Sequence, residues 1–328
     1  MIRPTRTSPA LLGAGLATIY VVWGTTYLGI RVGVETVPPF FLSSTRYMLA
    51  GLLLFGWVAL RGGLSDGWPT RRQWLSAIIT GTGLVAFGNG LISWGEQYLA
   101  SGPASLFIAT VPLWMTAMGR VFLKETIRPA AALGLGIGLL GLVILVGPAA
   151  IRGTDLVPRL ACLVAALGWA AATVYSRSAP LPNNPFQVAG MQMFAGGAVL
   201  LLVSFVSGDA ARFNLAAVSV RSELAFLYLL IVGAILGFGV YMWLVKVAPL
   251  SLLGTYAYVN PVVAVVLGHF LLGEPVTPRT VIGGGVIILG VALIVASQSR
   301  RRGRPAPEGA AAEAVTFSAN RESSTARR

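Results

Sequence analysis

The feature that most constrains this chain is a series of apolar runs, each near the ~20 residues an α-helix needs to cross a bilayer core. Ten can be placed, at 10–30, 40–60, 74–94, 101–122, 129–149, 158–175, 186–206, 224–245, 250–272 and 280–297. Only 11% of the 328 residues are charged and 55% are hydrophobic, against roughly 25% charged in soluble domains. That is too little polar surface to cover a globule of this size. A transmembrane β-barrel would need alternating segments of ~10 residues, and none are seen. The expected fold is an all-α polytopic membrane protein with ten transmembrane helices. The first run lacks a small-residue cleavage site and reads as a retained span rather than a signal peptide.

The second constraint is an internal repeat, which decides a fold more than any local pattern. Pro112, Gly119, Leu123, Glu125, Pro129, Gly134, Gly136, Leu140, Gly141 and Val146 recur 149 residues later as Pro261, Gly268, Leu272, Glu274, Pro278, Gly283, Gly285, Leu289, Gly290 and Val295. Gly88, Gly90 and Trp94 match Gly237, Gly239 and Trp243 at the same offset. Trp23 and Arg31 match Trp169 and Arg177 at 146. Each half therefore holds five spans. Five is odd, so the second half must enter the membrane upside down, giving two inverted five-helix repeats. Such repeats mark transporters whose site lies at the interface of the halves. The units are a basic lead at 1–9, a first half at 10–149, a second half at 156–297 and a tail at 298–328.

Basic residues near span ends set orientation. With the N-terminus inside, the inner side carries fourteen: Arg3, Arg6, Arg61, Arg71, Arg72, Arg120, Lys124, Arg128, Arg177, Lys246, Arg300, Arg301, Arg302 and Arg304. The outer side carries six: Arg31, Arg152, Arg159, Arg212, Arg221 and Arg279. Both termini are expected in the cytoplasm. This distribution also accounts for the net charge of +13 without a nucleic-acid partner. The tail has too little apolar content to fold alone and reads as disordered.

Several chemistries are excluded. There is no Gly-Lys dipeptide, hence no phosphate-binding loop of an ATP-driven pump. The single histidine, His269, has no second His for a zinc site, and no metal or cofactor is expected. The single cysteine, Cys162, reads as a small core residue. Gly136, Gly138 and Gly141 fit the dinucleotide pattern, but that pattern needs a preceding strand and a helix start. Here it lies within an apolar span, where Gly134 and Gly138 share one face and let a neighbouring backbone approach. Gly283, Gly285 and Gly290 are expected to do the same in the tenth span.

The polar residues at membrane depth carry the functional reading. Arg46 sits about two turns into the second span, where a bare cation costs at least ~2.5–3.5 kcal/mol. It is either a snorkelling anchor or a cation facing a central cavity; its repeat partner is Gln192. Asn89, between Gly88 and Gly90, contacts substrate or bonds a neighbouring helix. Glu96 is a proton-linked group or a solvated loop residue. His269 is an interfacial residue or a pH-sensitive gate. Glu125 and Glu274 head equivalent turns and read as structural. Tyr256 and Asn260 share a helix face. Pro261 and its counterpart Pro112 each remove a helical hydrogen bond. Matching breaks in two halves point to a transport site, the alternative being plain kinks. Trp23, Thr26 and Tyr27 form a comparable set in the first span, or pack in an aromatic core.

These segments resemble the drug/metabolite transporter superfamily in its EamA-domain branch, among bacterial inner-membrane permeases. The resemblance rests on Trp23-Gly-Thr-Thr-Tyr-Leu-Gly-Ile-Arg31, Pro38-Pro39 with Arg46, Gly88-Asn89-Gly90, Ser101-Gly-Pro-Ala-Ser105, Pro112 and Thr255-Tyr-Ala-Tyr-Val-Asn-Pro261. It implies ten helices in two inverted halves around a central cavity, and export of small metabolites such as amino acids or drug-like compounds. Small four-span relatives that expel cationic drugs use a carboxylate in the first span. This chain has none there, since Glu35 lies beyond it, which with Arg46 favours zwitterionic or weakly anionic cargo.

The reading is a secondary transporter working by alternating access. Its expected partners are a small-molecule substrate and the lipid bilayer, with proton coupling through Glu96 or His269 as an open element. The expected cavity lining is Trp23, Thr26, Tyr27, Arg46, Asn89, Tyr241, Tyr256 and Asn260. A membrane-embedded enzyme would need clustered His, Asp or Ser near one interface, and the chain has one His and no buried carboxylate pair. A non-transporting scaffold would leave the paired helix breaks without purpose.

Overall fold

The computed structural model describes residues 8–64, 67–95, 97–99, 107–147, 156–272 and 276–299. Glu96, Glu274, the Ser101–Ser105 motif and the tail from residue 300 onward lie outside them. Among the described residues the fold is all helical. The helices are α1 (Pro9–Gly33), α2 (Pro39–Leu60), α3 (Arg71–Gly95), α4 (Val111–Phe122), α5 (Pro129–Val146), α6 (Leu156–Ser176), α7 (Pro185–Val206), α8 (Val220–Val247), α9 in two pieces (Leu250–Leu253 and Tyr256–Leu272) and α10 (Pro278–Ser299). Nine of these are long and apolar enough to cross a membrane. The exception is α4, whose described part is 12 residues long.

The ends follow local chemistry. Thr70 and Gln73 form a reciprocal capping box at the start of α3. Asn184 and Ser219 cap α7 and α8 through their side chains. The start of α2, behind Pro38-Pro39, is capped from a distance: the Asp209 carboxylate accepts from the Phe41 N–H at 2.9 Å.

Helices α3 and α8 each carry a π-helical stretch, at Thr82–Gly90 and Leu229–Leu236. An inserted residue of this kind leaves backbone groups out of register and is frequent at functional sites.

Helix α2 packs along α7, and α5 along α10. Both pairs are brought close by glycine. A Cβ on Gly51 would lie 2.3 Å from the Phe194 nitrogen, and one on Gly290 would lie 2.6 Å from the Gly138 nitrogen. Gly134 meets the Gly290 carbonyl in the same seam. Gly136 and Gly285, by contrast, face open space, so the expected packing role of Gly285 does not hold. Further neighbours include α1 with α9 and α4 with α6, α1 with α8 and α3 with α6, and α3 with α7 and α2 with α8.

Candidate functional site

A cavity of about 90 Å³ lies between the helices of both halves. Helix α1 supplies Trp23, Thr26 and Tyr27 from its second half; α2 supplies Arg46 and Tyr47; α3 supplies Asn89 and Ser93. From the second half come Trp169 of α6, Gly233 of α8, and Tyr256 and Asn260 of α9. Of the eight residues expected here, the structure brings seven to one cavity and leaves Tyr241 out of its lining.

Tyr241 lies behind the wall. It is fully buried. Its hydroxyl accepts the Trp169 indole N–H at 2.8 Å and shares a hydrogen bond with Thr173 at 2.7 Å. The Trp23 ring sits 4.9 Å from Tyr241, 4.9 Å from Tyr256 and 5.6 Å edge-on from Trp169. Edge-on aromatic contacts of this kind are favourable beyond the area they bury. They give the cavity a stiff floor.

The π-stretches position part of this wall. In α8, the Gly233 carbonyl accepts the Trp23 indole N–H at 3.2 Å, which fixes that ring across the two halves. In α3, the Asn89 amide donates to the Leu84 carbonyl at 3.2 Å within its own π-stretch. Thr26 is turned back on its helix, donating to the Trp23 carbonyl at 2.7 Å.

Arg46 and Asn260 stand apart from this satisfied framework. Each is 3% exposed. The Arg46 guanidinium lies 4.4 Å over the Tyr47 ring, and its Nε has no hydrogen-bond partner. The Asn260 Oδ1 is likewise unpartnered. A buried polar atom without a partner carries the full cost of its desolvation, so these two atoms suit a ligand. Gln192, the repeat partner of Arg46, lies away from the cavity lining; its amide nitrogen donates to Thr80 and Ser176 at 2.9 and 3.1 Å, while its Oε1 is also unpartnered.

Pro112 occupies the first turn of α4, where its missing N–H costs nothing. Pro261 lies inside the longer piece of α9. The change of path comes earlier, at Gly254–Thr255 between the two pieces. His269 is exposed and lies edge-on to Phe270 at 5.2 Å, away from the cavity lining.

The cavity lies toward the end of the bundle where α1 ends and α2 begins. The opposite end is tied across its connections. There Arg177, just past α6, donates to the Glu125 carboxylate and to the Ala248 carbonyl, joining the α4–α5, α6 and α8–α9 connections. Burial pulls the Arg177 pKa below its ordinary value, and the Glu125 charge pushes back.

The profile of the EamA-like transporter family matches this sequence at residues 11–147 and again at 158–296. The chain belongs to the EamA-like transporter family. It is thus a multi-pass membrane transporter rather than an enzyme. This EamA chain is 35% identical over 285 residues to the uncharacterized inner membrane transporter YedA of Escherichia coli strain K12, covering 87% of this chain and 90% of that one. It is 25% identical over 294 residues to a protein of Salmonella typhimurium named a probable amino-acid metabolite efflux pump, covering 83% and 91%. A solved crystal structure shares the EamA chain's fold at a TM-score of 0.72 and 24% identity, covering 88% of this chain and 98% of the other.

The polar and aromatic residues that sequence reasoning missed in this wall are Trp169, Tyr47 and Ser93. A signal for Trp169 was available, because it is the repeat partner of Trp23. Tyr47 and Ser93 carry no such mark.

Proposed function

We propose that this chain is a secondary transporter exporting a small, carboxylate-bearing metabolite across the inner membrane by alternating access. Ten spans form two five-helix halves of opposite orientation, with both termini in the cytoplasm. The observation that carries this reading is the cavity between the halves, aromatic-walled and holding the unpartnered Arg46 Nε and Asn260 Oδ1. The cation offers itself to a carboxylate and the amide to a donor on the same molecule. Trp23, Trp169 and Tyr256 supply shape.

The helix neighbours support the two-fold relation. Exchanging each span with its partner five places on turns α1–α9 into α6–α4, α1–α8 into α6–α3 and α3–α7 into α8–α2, and all of these occur. It maps α2–α7 and α5–α10 onto themselves. The names of the Escherichia coli and Salmonella relatives support the inner membrane and the outward direction.

The test is counterflow of labelled metabolites in proteoliposomes. Wild-type protein is expected to exchange at least one carboxylate-bearing compound, and the Arg46→Ala, Asn260→Ala double variant to lose that exchange. Unchanged exchange in a folded double variant would refute the site.

A further inference from the structure

We propose that the cavity selects small monocarboxylate anions whose second polar group is a neutral hydrogen-bond donor, over the zwitterionic and cationic forms of the same skeleton. Arg46 and Asn260 are the residues that set this preference. The inference rests on the cavity being the transport site.

The argument is one of charge balance. Arg46 is permanently charged and 3% exposed. The four acidic residues among those described are Glu35, Glu125, Asp209 and Glu223, and none lines the cavity. Glu125 is held by Arg177. Asp209 is held by Arg212 and by the start of α2. Glu35 and Glu223 are exposed. Among the described residues, then, the cavity has one positive charge and no negative one. A carboxylate docked on the guanidinium makes the site neutral and satisfies its idle Nε through charge-assisted hydrogen bonds.

The second group is chosen by Asn260. Its idle atom is one neutral acceptor, which a single N–H or O–H satisfies. An ammonium group brings three donors and a full charge into the same space. The Gly233 carbonyl is already engaged by Trp23, and the Asn89 and Ser93 oxygens that also line the cavity are neutral acceptors, which bring no charge to offset the ammonium. The aromatic faces attract a cation, but Arg46 already places one beside them. The ammonium of a zwitterion would give up its water without a compensating charge, which is the costly case. An N-acylated or hydroxylated acid avoids that cost.

The experiment uses the purified full-length protein in nanodiscs, with intrinsic fluorescence reporting binding next to Trp23 and Trp169. Four probes are titrated on each of two skeletons, leucine and phenylalanine: the N-acetyl acid, the desamino acid, the free amino acid and the amino amide. On at least one skeleton the N-acetyl acid is expected to bind about tenfold or more tighter than the free amino acid. The amide should bind most weakly. Arg46→Gln should abolish the preference for anions and Arg46→Lys should retain part of it. Asn260→Leu should equalise the N-acetyl and desamino acids. If the free amino acid or the amide binds as tightly as the N-acetyl acid, the charge inference falls and the site stands, provided Arg46→Gln still alters affinity. If binding occurs but ignores Arg46, Asn260 and Trp23→Phe alike, the site itself is wrong. Failure of all eight probes to bind overturns the proposal.

Discussion

At the scale of single residues, neighbours in sequence have opposite fates. Gly290 faces the backbone of Gly134 and Gly138 across the α5–α10 seam, whereas Gly136 and Gly285 have nothing within 4 Å. Gly290→Ala must push two backbones apart, an overpacking expected to cost about 1–3 kcal/mol. Gly136→Ala and Gly285→Ala add only helix propensity, up to about 1 kcal/mol of gain. Thermal unfolding in detergent should show the first variant well below wild type and the other two at or above it. Equal melting of Gly290→Ala and Gly136→Ala would remove the close approach as a stabilising feature. Arg46 and Gln192 make the same point for function. They share a register position in the two halves, yet one faces the cavity and the other bonds Thr80 and Ser176. Which of two equivalent polar residues faces the cavity depends on contacts that a repeat does not encode.

At the scale of elements, nine of the ten expected spans were legible among the described residues, because apolar length is a direct readout of bilayer thickness. The expected 40–60 and 186–206 became Pro39–Leu60 and Pro185–Val206, with Pro placed at the helix starts. The π-stretches of α3 and α8 were not legible. One extra residue in a turn leaves the apolar pattern almost unchanged, and its cause is packing against other helices. The same holds for α9, where Pro261 drew attention but the turn falls at Gly254–Thr255. The seven expected residues that meet at the cavity were legible as polar or aromatic groups out of place in hydrocarbon. Tyr241 was not separable from them, because its burial behind Trp169 is a tertiary fact. The π-stretch of α8 yields its own prediction. Its Gly233 carbonyl holds the Trp23 indole, so Trp23→Phe keeps an aromatic face but loses part of the ring system and the bond, the bond alone being worth about 0.5–1.5 kcal/mol. Transport kinetics should show a raised KM with little change in stability. An unaltered KM would mean that the bond does not position the wall.

At the scale of the whole molecule, the cavity sits toward one end and a polar tie crosses the other. The Arg177 cluster is that tie, gathering three connections through two hydrogen bonds. Its side chains are 16% and 30% exposed, so water weakens the pair, and the ion pair alone is worth about 1 kcal/mol. The bond to the Ala248 carbonyl adds to it. Glu125→Gln removes the charge and leaves that second bond; Arg177→Gln removes both. If this tie biases the closed arrangement, opening should therefore increase in the order wild type, Glu125→Gln, Arg177→Gln. The readout is a cysteine at Thr173, fully buried between the aromatic floor and the tie, in a Cys162→Ala background that removes the sole native thiol. Maleimide labelling should rise by up to about tenfold per 1.4 kcal/mol lost. Substrate that fills the cavity should suppress labelling if it favours the open-cavity state, since a ligand shifts populations only by its differential affinity. Identical labelling in all three proteins would show that the aromatic floor alone seals this end.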